Sequence, residues 1–309
     1  SQQLRVRQVD VSGAPEPLDE YAACCARDRA APFDPSVAPL ARACLYRLGP
    51  ESHRLFMVAH HLVIDGWSMR VVLKDMAAIY NGAGQGGRRA LAPPDSWLSF
   101  AGAECERRDG PEGRRCLDYW RARFRDPPEP LQLPTDRPRG TRIGFAAGSF
   151  VIDVERGLWD GLRTVSRQWG VTRFSLLLAA YFALLHRLSG QVDLVCGIPF
   201  AGAARGSGAR LVGDTDNTLP LRACVDPEQP LRALALQVQQ ALKEAAGHQD
   251  ISLGRIVEAL PLKREAGRML LVDSIVALVP SLERLAFDGV DCRLEVAPRL
   301  ASAWETGWY

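Results

Sequence analysis

Lysine is nearly absent from this 309-residue chain: Lys74, Lys243 and Lys263 are its only lysines, so arginine supplies almost all the positive charge. With a net charge of only +2, the chain lacks the strong basic footprint of a nucleic-acid binder. No apolar run approaches the roughly 20 residues needed to cross a bilayer. Ser1–Asp10 alternates polar and apolar residues, without a signal-peptide pattern. The eight cysteines are scattered, with no Cys-x-x-Cys pair. That spacing excludes a clustered zinc site and implies buried thiols in a reducing, cytoplasmic setting. A Gly-x-Ser-x-Gly elbow and a Gly-Lys-Ser/Thr phosphate loop are both missing, which excludes the usual serine-hydrolase and nucleotide-loop chemistries. Gly82–Gly87 formally fits a dinucleotide fingerprint, but it follows a helix pattern rather than a strand and reads as a surface loop. No internal repeat is visible.

What is present has the balance of a globular protein, 47% hydrophobic and 24% charged. Leu4–Val11 reads as a strand, Asp19–Arg29 as a helix and Arg54–Ala59 as a buried strand. A helix over Ser68–Tyr80 follows, then a glycine-rich loop over Asn81–Arg89. Trp97–Arg107 and Glu112–Arg125 read as two helices. Pro127–Gly140 holds five prolines and is the linker candidate. Beyond it, Phe150/Ile152/Val154 alternate like a strand, and Leu158, Leu162, Val165 and Trp169 mark a helix. The clearest helix carries Phe174, Leu177, Leu178, Tyr181, Leu184, Leu185 and Leu188 on one stripe, with Thr172 as N-cap. Val192–Ile198 and Thr218–Val225 read as strands, Leu231–Ala245 as a helix, and Ser252 caps a short one. Leu270–Val279 and Arg293–Val296 read as the last strands. The fold class is mixed α/β.

The strongest local signal is Met57-Val58-Ala59-His60-His61-Leu62-Val63-Ile64-Asp65-Gly66-Trp67-Ser68. A strand delivers two histidines into a turn that ends in Asp-Gly before a helix. Neutral imidazole accepts a proton near pH 7, as general-base chemistry requires. Glycine lets backbone approach a ligand closely. The bland alternative is a strand–turn–helix junction whose histidines merely satisfy buried hydrogen bonds; two adjacent histidines plus Asp-Gly favour function. His61 and Asp65 make a poor metal pair, because His53, His186 and His248 offer no third ligand at a suitable spacing. The arginine-rich stretches between Arg107 and Arg125 are interleaved with acids and read as solvated helix faces.

These residues, with others along the chain, resemble the condensation domains of nonribosomal peptide synthetases, in the superfamily of chloramphenicol acetyltransferase. Pro32-Phe33-Asp34 with Pro39-Leu40-Ala41-Arg42 is similar to the segment before the active-site strand. His60–Ser68 matches the His-His-x-x-x-Asp-Gly motif. Asp118–Arg121, Leu133–Arg139, His186–Pro199, Asn217–Arg222 and His248-Gln249-Asp250 match five further motifs in order. The family's opening motif is not seen, so the resemblance implies a partial chain from a larger synthetase.

The resemblance implies two chloramphenicol acetyltransferase-like lobes in a V-shaped pseudo-dimer with a tunnel between them. They would be a partial N-terminal lobe over 1–134 and a partial C-terminal lobe over 135–309. It implies amide-bond formation between an acyl or peptidyl thioester and an amine. Both substrates would ride on phosphopantetheine arms of donor and acceptor carrier proteins, beside neighbouring synthetase domains. No tightly bound cofactor, metal, nucleic acid or membrane is implied. His61 and Gly66 are the catalytic candidates: His61 would orient the amine and manage charge, and Gly66 would place a backbone N–H near the reacting centre. His60, Asp65, Trp67, Arg42, Arg205 and Asn217 would support the site, with Arg205 and Arg42 as candidate partners for Asp65. Thr215 and Asp216 stand directly before Asn217, where the family usually has an aromatic and an aliphatic residue, and Asp214 precedes them. They read as a tolerated edge substitution rather than a pocket altered for a polar or cationic substrate. Alternative functions are ester formation, transfer to a free acceptor, or a non-catalytic docking scaffold.

Overall fold

A computed structural model of the chain describes residues 4–84, 91–138, 140, 141, 148, 150–202, 210–279 and 285–294. Their contacts form two compact units. The first takes the described residues within Ser1–Pro94, Arg210–Asp214 and Leu285–Leu294; the second takes those within Asp95–Ala209 and Thr215–Arg284.

In the first unit, β1 (Val6–Asp10), β2 (Ala41–Arg47) and β3 (His53–Ala59) form a sheet in that order. β1 runs parallel to β2, and β3 returns antiparallel, pairing Ala41 with Ala59 and Arg47 with His53. α1 (Pro17–Ala30) begins at a proline, whose missing N–H costs nothing at a helix start. It contributes Cys24 and Cys25 to a small core with Val11, Cys44, Tyr46 and Phe56. Polar ties supplement this core. Arg7 pairs with Asp28, which also accepts from the Tyr46 hydroxyl at 3.0 Å. Burial, with Cys44 and Asp28 beside it, pushes the Tyr46 phenol well above its ordinary range. The Arg42 guanidinium donates to the carbonyls of Asp28, Ala31 and Pro32 at 3.2, 2.7 and 2.6 Å. A cation suits the negative end of α1, and the same group lies 3.9 Å from the centre of the Phe33 ring. α2 (Gly66–Gly84) completes the elements of this unit.

The second unit is built from α3 (Trp97–Asp109), α4 (Pro111–Arg123), α5 (Arg156–Trp169), α6 (Arg173–Ser189), β4 (Asp193–Ala201), β5 (Asp216–Cys224), α7 (Leu231–Ala246) and α8 (Leu253–Glu258). β4 and β5 pair antiparallel, Asp193 with Cys224 and Ala201 with Asp216. α6 buries Leu178, Phe182 and Leu185 in a large core with Trp120, Phe124, Cys196, Leu219, Leu221, Val238 and Ile256. Of the stripe read from sequence only Leu178 and Leu185 are buried, while Leu184 and Leu188 are exposed, so the buried face is turned toward Leu176, Ala179 and Phe182. Thr172 Oγ1 caps α6 by accepting from Ser175 N at 3.0 Å, as its sequence position implies. Trp120 Nε1 donates to His248 O at 2.9 Å, and the His248 ring stacks on Tyr119 at 3.8 Å. Gly113 permits a tight α3–α4 corner, since a Cβ there would lie 1.8 Å from Arg108 O.

Several sequence expectations need correction. The packing does not divide at the proline-rich 134/135 joint. α3 and α4 precede that joint yet belong to the second unit, because Cys116, Trp120 and Phe124 are buried in its core. Phe150–Glu155 is irregular rather than a strand, and Phe150 is 89% exposed. Alternation yields a strand only where a neighbouring edge supplies hydrogen bonds, and no described strand pairs there. Leu270–Val279 likewise makes only one bridge, Ile275 to Gly197. Arg293 and Leu294 are irregular, and 295–296 lie outside the described residues. The loop expected from Asn81 starts later, since α2 continues through Gly84; residues 85–90 lie outside the described residues.

Candidate active site

The site is built where β3 ends. His60 N donates to Leu40 O at 2.9 Å, one residue beyond the last ladder pair of β2 and β3. The chain then makes one 3-10 turn over His61–Val63. His60 Nδ1 accepts from Leu62 N at 3.1 Å, capping that turn, and its ring meets Phe33 edge-on. Accepting at Nδ1 puts the His60 proton on Nε2.

Asp65 sits at the N-cap of α2 and is 4% exposed. Its Oδ1 accepts from Ser68 N at 2.7 Å, and its carbonyl accepts from Met69 N at 3.0 Å. A carboxylate on the free N–H groups of a helix start is favourable through both the hydrogen bond and the helix dipole. Arg42, one of the two partners expected for Asp65, spends its donors on the end of α1 instead. Arg205 lies outside the described residues. Gly66 is the first residue of α2, and a Cβ built on it would meet nothing within 4 Å. Neither packing nor a positive φ therefore demands glycine at this position among the described residues. Trp67 buries its indole Nε1 without an acceptor among the described residues, and the Arg70 guanidinium lies 5.8 Å from its ring centre.

Ser68, which the sequence presents only as a motif continuation, is 1% exposed. Its hydroxyl donates to Gly213 O at 2.7 Å and accepts from Gly213 N at 2.9 Å. Three residues earlier in the chain, Arg210 makes a two-pronged pair with Asp75 of α2, at 3.0 and 2.9 Å. The segment Arg210–Asp214 is thus stitched to α2 at two points, and it brings Asp214 Oδ2 to 3.4 Å from His61 Nδ1. That nitrogen is shielded from solvent, while the His61 side chain as a whole stays 42% exposed.

Asn217, in the second unit, donates from Nδ2 to Gln249 O at 3.1 Å and Ile251 O at 2.8 Å. It ties β5 to the His248-Gln249-Asp250 segment, joining two of the sequence motifs. Elsewhere in that unit Glu112, Cys116 and Asp250 could present ligand atoms to a metal. Arginines already occupy the two acids: Arg115 pairs with Glu112, and Arg107 lies 3.7 Å from Asp250. Burial pushes the Cys116 thiol up, away from the thiolate a metal needs. No single helix among the described residues is long and apolar enough to cross a membrane.

Ser68, Arg210, Gly213 and Asp214 were not singled out as site residues by sequence. An Asp-x-x-Ser spacing at the start of a helix is a readable capping signal for Ser68. Nothing local announces a contact across 145 residues.

The model of the condensation domain family matches residues 2–296. Phosphinothricin tripeptide synthetase PhsC of Streptomyces viridochromogenes is 35% identical over 263 residues, 83% of this chain and 24% of that protein. Tyrocidine synthase 3 of Brevibacillus parabrevis is 32% identical over 80% of this chain and 4% of its own length. Among solved structures, the first condensation domain of the CDA synthetase superposes with a TM-score of 0.73 at 25% identity, over 93% of this chain and 63% of that one. The chain thus spans a small part of these synthetases and under two thirds of the solved domain. On these matches, this chain belongs to the condensation domain family of nonribosomal peptide synthetases.

Proposed function

We propose that the chain condenses an acyl or peptidyl thioester with an amine to form an amide. The carrying observation is His61: a histidine on a short capped turn, with Nδ1 shielded beside Asp214 and the side chain 42% exposed. In this reading the substrates arrive on phosphopantetheine arms of donor and acceptor carrier domains, within a larger synthetase. The amine nitrogen attacks the thioester carbonyl carbon and a tetrahedral oxyanion forms. A free α-amino group titrates near pH ~8, so part of it is neutral without a strong base. His61 Nε2 accepts a hydrogen bond from the amine, orients its lone pair and holds the proton as the C–N bond forms. The C–S bond then breaks, and the departing sulfur leaves as a thiol with that proton.

Gly66 is assigned the second catalytic position. The open space beside its α-carbon leaves room for a substrate group, and its N–H belongs to the free donors at the start of α2. His60, Asp65 and Trp67 hold the turn and the helix start, and Asn217 supports the second unit. The eight free thiols fit a reducing, cytoplasmic setting.

The test is a condensation assay with defined carrier-bound donor and acceptor, read by intact-protein mass spectrometry. We expect amide product, with a rate reduced about 10²- to 10⁴-fold in His61→Ala. An unchanged rate in His61→Ala at saturating carriers would overturn the role of His61. Product only with an alcohol or free acceptor supports the ester or free-acceptor reading, and no product with any acceptor supports a docking scaffold.

A further inference from the structure

We propose that Asp214 is a positioning residue for His61, forming with it an acid–imidazole dyad that holds the proton on Nδ1 and leaves Nε2 free to accept from the attacking amine. The inference rests on the catalytic reading of His61 given above, and adds a residue to it.

Three observations converge. The Asp214 carboxylate is 3.4 Å from His61 Nδ1, an ion-pair contact rather than an aligned hydrogen bond, on the shielded side of the ring. Asp214 is itself only 19% exposed, so its charge is less screened than that of a surface carboxylate. And its position is built rather than incidental. Ser68 exchanges two hydrogen bonds with Gly213, the residue directly before Asp214, and Arg210 is clamped on Asp75. Leu211 is buried between those two anchors. A loop held at both ends by one helix presents its carboxylate at a defined distance and loses little freedom when substrate arrives.

The chemical consequence follows from the two ring nitrogens. A neutral imidazole has one N–H and one lone pair, and the group facing one nitrogen decides the role of the other. A carboxylate accepts and cannot donate, so it selects the Nδ1–H tautomer. The lone pair then lies on Nε2. When Nε2 takes up the amine proton, the resulting imidazolium has an anion at its back. The Ser-His-Asp triad of the serine proteases uses a carboxylate in the same way, and there Asp→Asn preserves geometry while reversing the tautomer.

The resemblance described above puts an aromatic and an aliphatic residue directly before Asn217, where this chain has Thr215 and Asp216, with Asp214 before them. Read from sequence these are a tolerated edge substitution; the contact with His61 gives Asp214 a task instead.

Two measurements test the dyad on the intact chain. In the first, His61 is identified by ¹⁵N imidazole NMR through comparison with His61→Ala, at a pH where the ring is neutral. We expect the Nδ1–H tautomer in the wild type; a dominant Nε2–H tautomer would overturn the proposal without any variant of Asp214. In the second, Asp214→Asn, Asp214→Glu and His61→Ala are compared in the condensation assay. Asparagine is nearly isosteric but can donate to Nδ1, so we expect kcat to fall about 10- to 100-fold with KM for the acceptor changed less than about threefold. The glutamate variant should recover part of the loss, and a merely structural role would not follow that order. If His61→Ala abolishes turnover while Asp214→Asn keeps full kcat, the dyad fails and the catalytic reading of His61 stands. If His61→Ala keeps full turnover, both fail.

Discussion

The first unit closes its three-stranded sheet over a handful of buried side chains and binds the rest together with ions and hydrogen bonds: Arg7 with Asp28, Arg42 on the end of α1, Ser68 on Gly213. The second unit instead seats β4 and β5 against α6 and α7 through a continuous apolar core that also swallows Trp120 and Phe124. Burying apolar area contributes roughly 25 cal/mol per Å² and needs no exact partner. A polar tie contributes only about 0.5–1.5 kcal/mol net, yet fixes direction. Directional ties occur in both units, as in the Arg222–Asp193 pair of the second; what differs is the size of the apolar core beside them.

The comparison breaks most easily at Trp120. Trp120→Ala removes a fully buried indole and its bond to His248 O, and should cost the second unit about 3–5 kcal/mol in urea unfolding. A loss under about 1 kcal/mol would show that the apolar core is not what holds that unit.

Thiol labelling sharpens the contrast. Cys44 is buried in the first unit, and Cys116 and Cys196 in the second. Under native conditions we expect Cys44 to react with an alkylating agent about tenfold faster than Cys116 and Cys196, because the smaller core opens more readily. Equal rates would mean that the units open together. Cys196 also carries a pH dependence. Burial pushes Cys196 up from 9.0 to about 12, so the native state keeps a proton that the unfolded chain sheds. Stability of the second unit should therefore fall as pH rises from about 9 toward 12, and be unaffected by this group below that window. Cys196→Ser would flatten the slope if Cys196 is its source.

The smallest stability effect is expected at Gly66. Gly66→Ala adds a methyl group that meets nothing within 4 Å, so the melting midpoint should move by no more than the equivalent of about 0.5 kcal/mol. Condensation rate should nevertheless fall, since the methyl group enters the space assigned to substrate. A normal rate in this variant would remove Gly66 from the catalytic assignment.

Much of the fold was legible locally. The α6 helix, its Thr172 cap, the Ser252 cap of α8 and the β3–turn–α2 junction are set by spacing and capping chemistry within a few residues, although the face α6 buries is not the one its leucines mark in the sequence. The expected strand at Phe150–Val154 shows the limit of such reading. Its alternation is real, but a strand exists only with a partner edge. The proline-rich stretch near 135 likewise looks like a boundary, yet the packing of Cys116, Trp120 and Phe124 draws α3 and α4 into the second unit.

The histidine pair, the Asp-Gly turn and the ordered motifs of a condensation domain were present in the sequence by itself, because each is a short run whose chemistry is local. Tertiary structure alone decided what stands behind His61. Residues 210–214 come from the far half of the chain, and only the bonds of Ser68 and Asp75 to that segment bring Asp214 to the imidazole. A contact across about 150 residues leaves no periodicity, spacing or cap in the sequence. It exists only once two segments have been packed against the same helix.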